Sequence, residues 1–377
     1  MKIVTVSNYF NHHQKPLSEA LYKITQGQFF FVATSPMSEE RKKMGWDSAN
    51  KPSYVLDVSA CKEDEDKALR VIEQADAVIW GDAPIKYVKN RLKKGKLTFR
   101  CTERIFKKGF SFKEYVPRAI KHRLLNWPCR KQFLLCMSAY AAGDYAKMGL
   151  YKGRAYKWGY FTETKQYDLQ KLLDKKRENK EIFILWTARM IPLKHPEHAL
   201  YVAERLKNDG YKFQMKFIGD GELITDLQHT AENKHLDEVA FLGSMTPEEV
   251  RNYMEKANIF MFTSDQNEGW GAVVNEAMNS GCAVVANNAI GSVPYLIEHG
   301  KNGLIYDNGD ICSLYANVKS LCDNQQMRET LGIAAYKTIT DEWNAENAAH
   351  LLVDWVSNRQ QRIPIGSNMC GVLEKES

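Results

Sequence analysis

The chain has 377 residues, 44% of them hydrophobic, and a formal net charge of +6. That length exceeds an ordinary single domain, so two domains are expected. No run of about eighteen apolar residues is present, and MKIVTVSNYF enters directly as a strand without a basic segment and cleavage site, so neither a membrane span nor a secretory leader is expected. The reading is a soluble cytoplasmic protein, with peripheral attachment at the cytoplasmic face of the inner membrane as a variant. Eight scattered cysteines (61, 101, 129, 136, 282, 312, 322 and 370) form no Cys-x-x-Cys pair. They read as reduced thiols, with no metal ligand among them.

In chain order, Lys2–Val6 has the pattern of a buried strand and is followed by the loop SNYFNHHQKP and a helix from about Leu17. FFFVAT, SYVLDV and ADAVIW are short β-rich runs between polar or helical segments, and KQFLLCMS precedes a helix around Tyr140–Met148. After a charged stretch from Gln166 to Lys180 the alternation restarts. EIFILWTA leads to a helix over His198–Asp209, QMKFIGDG to one near Glu222–Ala231, VAFLG to one over Pro247–Lys256, IFMFTS to the glycine-flanked helix considered below, and that helix to CAVVAN. Alternating strands and helices predict two consecutive doubly wound parallel α/β sheets, joined near 166–180. A last periodic helix, roughly Asn344–Val356, comes after the second sheet is complete. No period of about 20 to 50 residues points to a solenoid.

Charge is unevenly spread. Between Lys86 and Lys131 there are sixteen Lys and Arg against Glu103 and Glu114, a local +14 that leaves −8 for the rest of the chain. Phe99, Phe106, Phe110, Phe112, Tyr115, Leu124, Leu125 and Trp127 interleave with these cations, which would suit a surface lying on anionic lipid. A nucleic-acid surface is a second reading, although no recognised nucleic-acid module accompanies the charge, and none is expected as a partner. A solvated face is the third.

The stretch NEGWGAVVNEAMNSG, Asn267–Gly281, sets Glu268 and Glu276 eight positions apart around a glycine-flanked tryptophan at the start of a helix. Glycine costs roughly 1 kcal/mol in a helix relative to alanine, so Gly269 and Gly271 suggest close approach to that backbone. Loops at the carboxyl ends of such strands are where doubly wound sheets bind ligands, and a helix N-terminus favours an anion. A diphosphate fits this pattern, with Glu268 facing what lies beyond it and Glu276 bridging two ribose hydroxyls. The competing reading is an ordinary strand–glycine–helix turn with solvated glutamates. TARMIPLKHPEH adds Arg189 and Lys194 after another strand; two cations there can hold a leaving diphosphate without a metal. FIGDGE, with Gly219, and FLG, with Phe241, are glycine turns at the next two strand ends. Alone, each is an ordinary loop.

These residues resemble the retaining, GT-B-fold glycosyltransferases of family 4. The Glu-x7-Glu motif reads E268-GWGAVVN-E276, the phosphate-binding pair is Arg189 and Lys194, and the run SGCAVVANNAIGSVPYLIEHGKNGLIY completes a similarity over roughly Glu181–Tyr306. The resemblance implies an α/β, GT-B fold of two Rossmann-like doubly wound domains facing an interdomain cleft: an acceptor-binding domain over 1–165, a nucleotide-sugar domain over 166–341, a helix over 342–360 that crosses back, and a tail over 361–377. It implies catalytic roles for Arg189, Lys194 and Glu268, and donor binding by Glu276, by the backbone of Gly269, Trp270, Gly271 and Ala272, and by Gly219 and Phe241. Relatives carry a glycine pair in the first loop and a histidine after a later strand. Here SNYFNHHQKP and FRCTERIFKKG stand instead, making His12, His13, Lys15, Glu103 and Arg104 the acceptor-side candidates, against the alternative that such histidines are structural. No cofactor or metal is implied: the donor is a nucleotide-diphosphate sugar, with a UDP-sugar favoured. The acceptor is a glycan or a lipid-linked glycan in capsule, exopolysaccharide or O-antigen assembly, with an anionic membrane surface as a further candidate partner. A nucleotide-sugar epimerase of the same fold, and a basic lipid- or nucleic-acid-binding adaptor with a dead sugar site, are the other functions weighed.

Overall fold

The computed structural model describes residues 1–43, 51–107, 112–126 and 131–358. The chain divides into two compact units, Met1–Glu163 with Asn344–Ser377, and Thr164–Trp343.

The first unit contains seven parallel strands: β1 (Ile3–Ser7), β2 (Phe29–Ala33), β3 (Val55–Asp57), β4 (Ala77–Trp80), β5 (Thr98–Thr102), β6 (Gln132–Cys136) and β7 (Ala155–Lys157), in the order β3-β2-β1-β4-β5-β6-β7. The second has six, β8 (Ile182–Thr187), β9 (Phe213–Ile218), β10 (Val239–Phe241), β11 (Ile259–Phe262), β12 (Ala283–Asn287) and β13 (Leu304–Tyr306), in the order β10-β9-β8-β11-β12-β13. Both are the doubly wound sheets expected from the alternation. Their central strands are largely apolar, and in IFMF and AVVAN every residue is buried. Helices covering both faces of a parallel sheet leave no solvated side for a polar alternation to mark. In each unit the strand order reverses beside the first strand, between β1 and β4 and between β8 and β11. Loops there diverge to opposite faces and leave a crevice.

Three strands lie outside the runs named from sequence. β7 and β13 are three-residue edge strands, too short to show a period, and β5 (TFRCT) carries an arginine among its apolar residues. The helices Ile311–Asp323 and Gln325–Lys337 were likewise unassigned.

The basic segment is not one surface. Phe99 and Phe106 are core residues, 1% and 2% exposed. Arg91 is buried too, and its guanidinium donates to the carbonyls of Ile72, Ala75, Asp76 and Leu97. Phe110 and Trp127 lie outside the described residues. Among the described residues of this segment, the large apolar side chains that face solvent are Val116, Ile120 and Leu124, on the Phe112–Asn126 helix. Cys61, Cys101, Cys136, Cys282, Cys312 and Cys322 are free thiols, and burial pushes the Cys101 thiol up to about 12. Among the described residues no helix is long and apolar enough to cross a membrane.

The final helix, Ala345–Ser357, belongs to the first unit although it follows the second in sequence. It starts at Asn344, whose side chain accepts from Asn347 N, and packs against the Lys15–Ile24 helix. Trp355 meets the rings of Phe99, Phe133 and Tyr156 edge-on, with centroids 5.0, 4.6 and 5.8 Å away. Trp355 is partly buried, so Trp355→Ala should cost somewhat less than the roughly 3 kcal/mol that is the low end for a fully buried large aromatic; urea unfolding of the full chain measures this, and a change within 0.5 kcal/mol or so, typical of a surface site, would deny the helix that role.

Candidate active site

The crevice of the second unit opens where β8 and β11 run side by side with diverging loops. Two hydrogen bonds stitch those loops together. Thr263 Oγ1, just after β11, donates to the Lys194 carbonyl at 2.7 Å, and Asp265 N donates to the Leu193 carbonyl at 3.0 Å. Thr263 is held in turn by Trp186 Nε1, which donates to its hydroxyl at 2.8 Å. Lys194 ends a single 3-10 turn, Pro192–Lys194.

The β9 loop packs on the same backbone. A Cβ on Gly219 (φ +136°) would lie 1.9 Å from the Ala188 carbonyl oxygen, and one on Gly221 (φ +156°) 2.5 Å from that of Met190. Only glycine lets FIGDG pass so close. Gly219 N also donates to Gly243 O at 2.8 Å, drawing in the loop after β10. Phe241 at that strand's end is partly exposed and stacks on buried Phe217, centroids 5.0 Å apart. The four loops singled out in the sequence thus meet on one rim.

Lys194 Nζ and Glu268 Oε2 form an ion pair, with side chains only 14% and 15% exposed, and Ser264 Oγ donates to the same carboxylate oxygen at 3.2 Å. The sequence reading put Lys194 on a phosphate and Glu268 near a sugar; without ligand, they neutralise each other. Arg189 is exposed on the same rim.

After Glu268 the chain turns through Gly271 (φ +81°), where a Cβ would lie 2.2 Å from Phe262 Cζ. Trp270 faces inward: its indole is 1% exposed, donates from Nε1 to Asn275 Oδ1 at 2.9 Å, and stacks on Trp343 with centroids 5.6 Å apart. Its ring is core, and only backbone can face a ligand there. Gly269 is buried, while Gly271 and Ala272 are partly exposed at the start of the Val273–Asn279 helix, which carries partly exposed Glu276 in its first turn.

Several positioning residues escaped the sequence reading. Asp265 accepts from Asn267 N at 2.8 Å and thereby closes the loop that carries Glu268; an Asp in SDQNEG is a turn signal. Buried Arg251 donates to the Glu276 carbonyl at 2.9 Å and to Asn279 Oδ1 at 3.1 Å, fixing the end of the Glu276 helix. Asn308 Nδ2 donates to Gln266 Oε1 and Asn287 Nδ2 to Asn308 Oδ1, tying the ends of β12 and β13 to the same loop.

The acceptor-side candidates all lie in the first unit. His12 and His13 follow β1 with rings 3.8 Å apart, and Asn11 Oδ1 accepts from His13 N at 2.9 Å. Burial holds the His12 imidazole down to about 4 and, with the neighbouring His12, that of His13 to about 3, so both are neutral at pH 7. Lys15 pairs with Glu19 on the exposed face of the Lys15–Ile24 helix. Beyond β5, Glu103 accepts from Lys107 Nζ at 2.8 Å, and Arg104 lies over the Tyr140 ring and 3.8 Å from Asp144, whose carboxylate also accepts from Ile105 N and Phe106 N. Glu103 and Arg104 thus each have a local structural partner.

Two doubly wound parallel sheets of this kind, with loops converging at the β8–β11 crevice, define the GT-B class. Solved structures agree: the chain superposes on Anabaena HepE in complex with UDP with a TM-score of 0.70 at 14% identity, covering 95% of this chain and 100% of that one. It also superposes on the lipopolysaccharide outer core galactosyltransferase WaaB with a TM-score of 0.68 at 16% identity, covering 95% and 100%. Residues 170–338 match the family model of glycosyl transferases group 1. The chain is also similar to the amylovoran biosynthesis glycosyltransferase AmsK of Erwinia amylovora, 29% identical over 177 residues, 45% of this chain and 43% of that protein. The sulfoquinovosyl transferase of Arabidopsis thaliana is 31% identical over 136 residues, 35% of this chain and 26% of that one. The chain spans less than half the length of either relative.

Gly271→Ala should destabilise the second unit by about 1 to 3 kcal/mol, the range for overpacking, because the new methyl enters the Phe262 ring from a backbone that alanine rarely adopts. Thermal unfolding checks this, and Phe262→Leu in the same chain should recover part of the loss. An unchanged midpoint for Gly271→Ala would show that the loop has other room.

Proposed function

We propose that the protein is a retaining GT-B glycosyltransferase of family 4 that moves a hexosyl group from a nucleotide-diphosphate sugar, UDP-sugar favoured, to an acceptor hydroxyl. The observation that carries this is the meeting of Lys194, Glu268 and the Gly271 turn at the β8–β11 crevice, with Glu276 on the helix that follows. In this reading the anomeric carbon–phosphate oxygen bond breaks as the acceptor oxygen bonds to the same face, and the departing phosphate oxygen takes the acceptor's proton. Arg189 and Lys194 stabilise the charge that develops on the diphosphate, Glu268 faces the sugar, and Glu276 accepts hydrogen bonds from ribose. No metal is needed for that charge balance. AmsK, named for amylovoran biosynthesis, and the galactosyltransferase WaaB support a glycan acceptor in surface polysaccharide assembly, and the HepE complex supports UDP as the nucleotide. The exposed Val116, Ile120 and Leu124 among basic residues support an anionic membrane surface as a partner.

Arg189→Ala or Lys194→Ala should lower turnover roughly 100-fold, the scale for losing one stabiliser of transition-state charge, while prior EDTA treatment leaves wild-type turnover in place. Strict dependence on an added divalent ion would contradict the proposal, and NMR of the product's anomeric proton tests retention.

The two glutamates should separate by role. Glu276→Gln removes a charged acceptor, and charge-assisted hydrogen bonds are the stronger kind, so UDP affinity should fall together with donor affinity. Glu268→Gln should depress turnover and leave UDP affinity intact or higher, because it releases Lys194 from its ion pair. Calorimetry with UDP beside the rates decides, and the reverse pattern would overturn the assignment.

A further inference from the structure

Immediately after Lys194 the chain reads His195-Pro196-Glu197-His198. His195 sits in the left-handed region (φ +47°) between the 3-10 turn and the Pro196–Asn208 helix, a strained position for a residue with a side chain. That turn brings three potential ligands together. His195 Nδ1 is 2.7 Å from Glu197 Oε1, His198 Nε2 is 3.8 Å from the same oxygen, and the two imidazoles lie parallel with centroids 4.6 Å apart. One ligand atom from each residue falls within 4.8 Å of the other two.

A fourth residue makes this more than proximity. The other ring nitrogen of His195, Nε2, lies 3.4 Å from Asp265 Oδ2 on the loop that leads to Glu268. A carboxylate on the far nitrogen of a histidine is the arrangement that fixes the tautomer and orientation of metal-ligating imidazoles. With one proton on Nε2 facing Asp265, the 2.7 Å between Nδ1 and Glu197 Oε1 is a hydrogen-bond distance that calls for a second proton on the ring; a metal ion on Nδ1 takes that proton's place, with Glu197 moving out to make room. The 3.8 Å from Glu197 to His198 is too long for a hydrogen bond, and His198 Nδ1 is buried with no hydrogen-bond partner among the described residues. Hydrogen bonding inside the cluster therefore satisfies one of the two histidines.

We propose that His195, Glu197 and His198 form a binding site for a divalent transition-metal ion of the zinc class, with Asp265 as the residue that orients His195. Two imidazoles and one carboxylate, with water in the fourth position, are a donor set zinc accepts at about 2.0 to 2.2 Å. Glu197 is half-exposed and can swing toward the ion. The ion would tie the turn carrying Lys194 to the loop carrying Glu268 through the His195–Asp265 contact. It takes no part in the transfer reaction proposed above, and the site stands or falls independently of that reading.

The test uses the full chain, stripped by EDTA and dialysed. Zn²⁺ is titrated against a chromophoric chelator, and Co²⁺ is followed by its visible absorption. The expected result is one equivalent bound with a tetrahedral Co²⁺ spectrum. Affinity should fall about 10- to 100-fold in Asp265→Asn, the usual cost of losing an orienting partner, and by more in His195→Gln/His198→Gln. If the double variant melts early, Glu197→Gln, a change at a half-exposed side chain, carries the comparison and should still weaken binding at least about tenfold. Zn²⁺ binding by the folded double variant or by Glu197→Gln within about threefold of wild type would overturn the proposal. So would wild-type chain that takes up no Zn²⁺; His195 would then hold a proton between its two carboxylates.

Discussion

The constraint on which the candidate site depends is the closeness of backbones at the carboxyl ends of β8, β9 and β11. Carbonyls of Ala188 and Met190 leave no space for a side chain at Gly219 or Gly221, and the carbonyls of Leu193 and Lys194 accept from Asp265 and Thr263 on the neighbouring loop. Backbone packed this tightly cannot shift by fractions of an ångström without breaking hydrogen bonds or clashing. The side chains it carries, Lys194 on one loop and Glu268 on the other, are therefore presented at fixed spacing before any ligand arrives. Such prior placement is what electrostatic stabilisation of a developing charge needs.

The Lys194–Glu268 pair adds an energetic condition. Each charge is largely screened from water and satisfied by the other. Under the function proposed above, a diphosphate entering the crevice would offer Lys194 a second, more highly charged partner, while the carboxylate keeps Ser264 Oγ as donor. The site would then exchange one set of charge contacts for another and need not desolvate a bare ammonium, the costlier step.

Much of this was legible in the sequence because parallel sheets write themselves plainly: IFILWT and IFMF are apolar runs, FQMKFI is apolar at every second position, and all three end in polar or glycine-bearing loops, where the candidate residues lie. The glycines were legible for the same reason, since FIGDGE and EGWG have no helical or strand use for them. What the sequence hid was partnership across long separations. Nothing local reveals that Lys194 meets a carboxylate 74 residues on, or that Arg251 anchors the Glu276 helix from a neighbouring one. Nor do the glycine neighbours of Trp270, which mark a loop, reveal that its ring meets Trp343 in the core. The basic segment misled because charge counted along a chain ignores that a strand such as β5 buries its phenylalanine and that Arg91 satisfies carbonyls inside.

The helix Ala345–Ser357 has a consequence for how the molecule is made. The first unit is assembled from the two ends of the chain, with the whole second unit, Thr164–Trp343, emerging from the ribosome between them. Domains generally fold as units during synthesis, so the second unit has all its strands and can close its core while the first still lacks its last helix. Until Trp355 is translated, Phe99, Phe133 and Tyr156 have no indole covering them, and the nascent chain carries an open aromatic face for the time taken to add nearly two hundred residues, about ten to forty seconds at cellular rates. That interval is when this protein is most exposed to misassociation, and it ends with the arrival of a single thirteen-residue helix.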